Sequence, residues 1–229
     1  AGNVDGDLHK PPPVSVYPPG TAVTGALRIA MSTRFPFTGF RARLHPEIRA
    51  ALEGTAERLQ LLGHHVIPAN PDYGLRASWN FLARSAAGVF DWAPRLGDDV
   101  ELDPRTVANI RVGRLLSETV LRRARKQETK TQQRIGRIFR EVDVILAPTT
   151  AQPPPRVDAF DHLGSTRTDR AIIAACPVTW PWNLLGWPSI NVPAGFTADR
   201  LPIGVQLMGP ANSEPLLIAL AAELEAISG

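Results

Sequence analysis

Val142-Asp143-Val144-Ile145-Leu146-Ala147-Pro148 is the stretch on which the fold turns. Beyond Asp143 it is a continuous apolar run, too short for a helix and closed by a proline. A strand with no polar face must be covered on both sides, so this one is expected at the centre of a sheet.

Working upstream, Leu27-Arg28-Ile29-Ala30-Met31 is a second short, mostly apolar run and reads as a buried strand. Pro46 stands where a first helical turn can use it. Ile48, Leu52, Ala56, Leu59 and Leu62 then recur at helical spacing, and Gly63 supplies a left-handed stop. His65-Val66-Ile67 begins another strand. Strand, helix, glycine and strand in that order predict parallel pairing through a crossover helix. Between Leu75 and Arg140 the chain reads as helical, with breaks expected at Asp103-Pro104 and Ser117. Trp79, Leu82, Ala86 and Phe90 are assigned to one buried face there.

Downstream, Ser189 to Val192 and Gly204 to Leu207 read as strands joined by a turn-rich loop carrying Gly195 and Asp199. Ser213 is placed as the cap of a last helix whose stripe is Leu216, Leu217, Leu220, Leu224 and Ile227. At the other end, Ala1 to Gly20 holds Asp5-Gly6-Asp7 and then Pro11, Pro12, Pro13, Pro18 and Pro19, and reads as an extended surface connection. The Asp pair lacks the spaced oxygen ligands and closing Glu of a calcium loop. Alternating α/β structure is therefore expected throughout.

A chain of 229 residues can bury a sizeable core, and 44% hydrophobic with 21% charged residues is ordinary for a globular protein. No apolar run reaches membrane-span length, so no membrane partner is expected. The formal charge of +3 spreads over 25 basic and 22 acidic residues. The one basic cluster, Arg122, Arg123, Arg125, Lys126 and Lys130, lies among Gln and Thr and reads as the wet side of a helix, not as a nucleic-acid surface. A single cysteine, Cys176, excludes intrachain disulfides and multi-cysteine metal sites. That agrees with a reducing, cytoplasmic setting.

Chemistry is scarce. A nucleophile needs a neighbouring base and backbone donors for the oxyanion. The only Gly-Ser pair, Gly164-Ser165, sits in a polar loop and is not assigned a catalytic role. His9, His45, His64, His65 and His162 show no metal-ligand spacing, so neither metal nor cofactor is expected. His45 precedes a helix, and His64-His65 follows one where a cation suits the C-terminus. Cys176, between Ala175 and Pro177, reads as a buried apolar cysteine, with Arg170 the nearest cation in sequence. Three of the five tryptophans crowd into Thr179-Trp180-Pro181-Trp182-Asn183-Leu184-Leu185-Gly186-Trp187-Pro188. On an irregular turn such aromatics are either core packing or the lining of a ligand pocket, with Asn183 or Thr179 as polar contact.

That stretch opens a longer pattern: Asn183-Leu184-Leu185-Gly186-Trp187-Pro188, Ser189-Ile190-Asn191-Val192-Pro193-Ala194-Gly195, Leu201-Pro202-Ile203-Gly204-Val205-Gln206-Leu207-Met208-Gly209-Pro210 and Glu214. In order and spacing it resembles the C-terminal part of the amidase-signature hydrolases. Asp143 to Thr150, Leu27 to Pro68 and Ala1-Gly2-Asn3-Val4-Asp5 are similar to upstream pieces of the same family, while Pro71 to Arg140 matches only in length and character.

The resemblance implies a mixed β-sheet covered by α-helices, incomplete in this chain. Residues 1–26 would be a connecting segment, 27–142 a variable helical region and 143–229 the C-terminal sheet and helix. It implies cofactor-free hydrolysis of a carboxylic amide to acid and amine or ammonia. The serine nucleophile, cis-serine relay and lysine base of the family would lie in a half preceding Ala1. No Gly-Gly-Ser or Gly-Ser-Ser occurs here, and the only lysines are Lys10, Lys126 and Lys130, so no catalytic residue is carried over. What remains is a pocket wall, with Cys176, Thr179, Trp180 and Trp182 as candidates for touching a small-molecule amide. Trp180 and Trp182 would narrow the acyl site toward flat or small apolar amides. The expected partner is the N-terminal half of the same enzyme, and a homodimer is left open. One alternative is the glutaminase subunit of a tRNA amidotransferase, against which a neutral thiol at Cys176 argues because an ammonium needs a counter-charge. Another is a non-catalytic, stand-alone binding or scaffold module.

Overall fold

The strand at Val144–Pro148 is buried at every position and lies third of five in the sheet. It is the third strand in sequence also. The computed structural model describes residues 23–37, 42–97, 100–116 and 118–227. The Ala1 to Gly20 connection and the break at Ser117 lie outside them.

Strand β1 (Arg28–Met31) is followed by helix α1 (Pro46–Leu61) and strand β2 (His65–Pro68). Proline opens α1 with Glu47 in its first turn, and Gly63 reverses the chain with φ +91°. β1 pairs in parallel with β2 and, on its other side, with β3 (Val144–Pro148). The remaining pairs are antiparallel: β3 with β5 (Pro202–Met208), and β5 with β4 (Ser189–Phe196), which forms the edge. The order β2-β1-β3-β5-β4 is thus a mixed sheet, with β3 at the change of direction.

Side chains alternate along each strand, so β3 serves two cores. Val144 and Leu146 meet Leu52, Ala56 and Leu59 of α1 and Leu217, Leu220 and Leu224 of the final helix α8 (Glu214–Ala226). Ile145 and Ala147 face the opposite core with Tyr73, Ile135, Val178, Trp182 and Met208. Full burial of each such side chain contributes roughly 1.5–3 kcal/mol, which makes this two-sided cover the largest identifiable stabilising feature.

The middle of the chain is helical as expected: α2 (Gly74–Trp92), α3 (Pro104–Leu115), α4 (Glu118–Lys126) and α5 (Glu128–Ile135), then a 3-10 turn at Gly136–Arg140. Asp103 caps α3 by accepting from Arg105 N at 2.7 Å. The buried face of α2 is only partly the expected one. Trp79 is 75% and Leu82 42% exposed, with Ala86 and Phe90 partly buried, whereas Ala77, Asn80 and Ala87 point inward. Arg84 follows this inner stripe because Glu128 (2.8 Å) and the Leu184 carbonyl (3.3 Å) satisfy its guanidinium. The assigned face is thus corrected in half: Ala86 and Phe90 pack against Gly113 of α3, whereas Trp79 and Leu82 stay exposed and small residues with a paired cation fill the inner stripe.

Three smaller expectations are corrected. Ser213 stands at the start of α8, but its hydroxyl donates back to the Pro210 carbonyl at 2.7 Å rather than capping the helix. Ile227, placed on the stripe, is 43% exposed because α8 ends at Ala226. His64, read as a side chain serving the end of α1, is instead buried, and its Nδ1 accepts from Leu27 N at 3.2 Å. With Nδ1 as acceptor, Nε2 carries the proton toward Glu223, 3.2 Å away. Glu223 also accepts from Val23 N at 2.9 Å, so one imidazole and one carboxylate tie the segment entering β1 to the start of β2 and to α8. His64→Ala leaves the Leu27 amide unpaired and should lower stability by about 1–3 kcal/mol in urea unfolding, whereas an unchanged midpoint would deny this tie any role.

Candidate functional site

The carboxyl end of β3 is where loops from distant parts of the chain converge. Thr149 donates its amide to the Gly204 carbonyl at 3.3 Å and its hydroxyl to Asn191 Oδ1. Asn191 and Gln206 are direct cross-strand partners on β4 and β5. Gln206, itself buried, donates from Nε2 to the Pro148 carbonyl at 3.3 Å. Gly204 is required here for space: a Cβ would run into the Asn191 carboxamide, which lies across the strand to reach Thr149. Thr149, Asn191 and Gln206 therefore form a polar ledge beside an otherwise apolar sheet. Sequence reading missed them, although a lone Asn and a lone Gln inside two apolar strands were the available signal.

Next to this ledge, Ala151 donates to the Ala175 carbonyl at 2.6 Å and accepts from His45 N at 2.8 Å. Ala175 ends helix α6 (Ser165–Ala175), and Cys176 is its C-cap. Cys176 is half-buried, and burial pushes its thiol pKa up, so it is a neutral group at physiological pH. Thr179 opens the short helix α7 (Thr179–Leu185) and donates its hydroxyl to the Cys176 carbonyl at 3.1 Å. These two candidates are thus coupled by one turn. Ser165, in the first turn of α6, makes no hydrogen bond to a histidine or lysine among the described residues.

The tryptophan stretch is a helix, not an irregular turn, and Gly186 closes it at φ +65°. Trp180 and Trp182 lie two residues apart and so leave α7 on different sides. Trp180 packs on Phe81 of α2 with ring centroids 4.8 Å apart. Its indole Nε1 is buried without a hydrogen-bond partner among the described residues, as is Asn80 Nδ2. Trp182, 1% exposed, donates to the Gly209 carbonyl at 2.9 Å and meets Phe139 and Trp187 edge-on. Asn183 is exposed. The structure brings Cys176 and Thr179 to one place, and it sets the two indoles in separate clusters.

Among the described residues no three of His, Cys, Asp and Glu gather as metal ligands, and no helix is long and apolar enough to cross a membrane. The basic residues Arg122, Arg123, Arg125, Lys126 and Lys130 are all exposed.

Comparison with known proteins adds the following. The family model described as Amidase matches residues 1–218. A Mycobacterium tuberculosis protein named as an amidase, AmiA2, is 68% identical over 229 residues, covering 100% of this chain and 47% of its own length. Among solved structures, 6-aminohexanoate cyclic dimer hydrolase with its substrate superposes with a TM-score of 0.75 at 23% identity, over 98% of this chain and 50% of that one. A bacterial aryl acylamidase of the amidase-signature family superposes with a TM-score of 0.65 at 20% identity, over 89% of this chain and 44% of that one. The two superpositions carry the fold, and this chain spans about half the length of the curated relatives it matches.

A desolvated thiol forms its thiolate reluctantly. Iodoacetamide should therefore alkylate Cys176 at pH 8 at least about tenfold more slowly than free cysteine, with the difference shrinking as pH rises. Alkylation as fast as the free amino acid would contradict the burial of this thiol.

Proposed function

The chain belongs to the amidase family, and on that premise we propose that it is the C-terminal half of an enzyme hydrolysing carboxylic amides to acid plus amine or ammonia. The observation that carries this reading is the extent of the family match, which runs from the first residue into α8. In this reading the serine nucleophile, cis-serine relay and lysine base belong to the half preceding Ala1, and residues 1–26, 27–142 and 143–229 are connection, variable helices and C-terminal sheet with helix. The present residues hold and shape the substrate without touching its bond-breaking steps.

Cys176, Thr179, Trp180 and Trp182 are the proposed wall. Cys176 and Thr179, both half-buried, supply the part that a ligand can reach. Trp180 and Trp182, both buried, supply bulk behind it and so set how far an acyl group can reach. A small-molecule amide fits a wall that is apolar with few polar groups. The neutral Cys176 offers no counter-charge to an ammonium, which supports a plain amidase over the glutaminase of a tRNA amidotransferase. We place the enzyme in the cytoplasm, working without a cofactor, with its N-terminal half as the obligatory partner and a homodimer as an assembly open to test.

The experiment is amide hydrolysis by the full-length protein, comparing a small aliphatic amide with a bulky anilide. Trp182→Ala should shift the kcat/KM ratio toward the bulky amide by roughly 10–200-fold, the range one altered apolar contact commands. The ratio cancels any loss of folded enzyme. An unchanged ratio would sink the wall assignment, and no turnover of any amide would sink the amidase reading.

A further inference from the structure

A second group of polar side chains gathers at the carboxyl ends of β1 and β2, sharing no residue with the proposed Cys176 wall. The chain leaves β1 toward β2 on one side, while β3 adjoins β1 on the other. Such a divergence of connections opens a crevice beyond the strand ends. Here it is a cleft of about 1050 Å³, lined by the loop after β1, the start of α2 and the face of α5 with its 3-10 extension.

Four cations reach this cleft, Arg34, Lys130, Arg134 and Arg137, against one carboxylate, Asp72. Three of them recur at spacings of four and three residues and so share one helix face. Arg134 is committed: its Nε donates to Asp72 Oδ2 at 2.8 Å, and this hydrogen bond holds the Asp72 carboxyl below its usual range. Gly74 leaves room for that guanidinium, which a Cβ would touch at 3.0 Å. Lys130 and Arg137 have no ion-pair partner among the described residues, and Arg34 adds only a longer-range attraction to Asp72. Arg34 is nonetheless positioned, because Asn70 Oδ1 accepts from both the Arg34 amide and the Ser32 hydroxyl at 3.1 Å. Tyr73 also lines the cleft, and its buried hydroxyl has no hydrogen-bond partner among the described residues. Burial raises that phenol's pKa, so it stays a donor. Unpaired cations and an unused donor around one concavity are a receptor for an oxyanion.

We propose that this cleft binds a small organic anion through its carboxylate or phosphate group, with Arg34, Lys130 and Arg137 supplying charge, Tyr73 a neutral donor, and the Asp72–Arg134 pair fixing the rim. The proposal stands independently of the amidase reading, because none of these residues belongs to the proposed wall.

Calorimetric titration of the full-length protein at low salt, with inorganic phosphate and separately with succinate, tests it. Saturable one-to-one binding of at least one anion is expected, weakening as salt rises, and whichever binds more tightly identifies the group recognised. Arg34→Gln with Arg137→Gln should weaken it at least about tenfold, as loss of two charge-assisted contacts does. Tyr73→Phe should weaken binding severalfold while leaving the unliganded melting temperature unlowered, since its hydroxyl has no partner among the described residues. The proposal is overturned if neither anion binds saturably or if the double substitution changes nothing. Binding of an acidic peptide alone would equally overturn it and assign the cleft to a protein partner. Amide turnover measured on the same samples reports separately on the amidase reading.

Discussion

Everything in this molecule depends on β3 being apolar on both faces. Five consecutive buried residues, Val144 to Pro148, cannot lie at an edge or on a wet surface. They require α1 and α8 on one side and the α5–α7 layer on the other. Because β3 also joins the parallel pair to the antiparallel pair, its position orients all five strands. The loops that end β1, β2 and β3 consequently emerge at one end of the sheet.

That end is where the chain places its polar groups. The Thr149–Asn191–Gln206 ledge exists because Gly204 lets a carboxamide cross β5, and because the last residues of β3 need acceptors and donors once the ladder stops. Cys176 and Thr179 abut it through the contact of Ala151 with Ala175. In the proposed reading, this sheet with its polar margin supports a nucleophile carried by another segment.

Strand positions and the α1 crossover were legible because each depends on local pattern: an apolar run, a helical period, a glycine at φ +91°. The motif from Asn183 to Glu214 carried the family for the same reason. The orientation of α2 was only half legible, since Trp79 and Leu82 look like core residues until Arg84 finds Glu128 forty-four positions away. His64 likewise looked like a side chain serving the end of α1 and proved to be a buried acceptor, a role set by Leu27 and Glu223. The basic cleft was hidden in part for want of proximity. Arg34 lies about a hundred residues from Arg134. Lys130, by contrast, had been read as a solvated charge although its spacing to Arg134 and Arg137 marked a common face.

The central claim is that these residues shape an amidase whose nucleophile lies outside them. Labelling the full-length protein with a serine-directed fluorophosphonate and mapping the modified peptide by mass spectrometry tests it most directly. The account predicts a single modified serine outside these 229 residues. Modification of a serine within them, Ser165 above all, would contradict it.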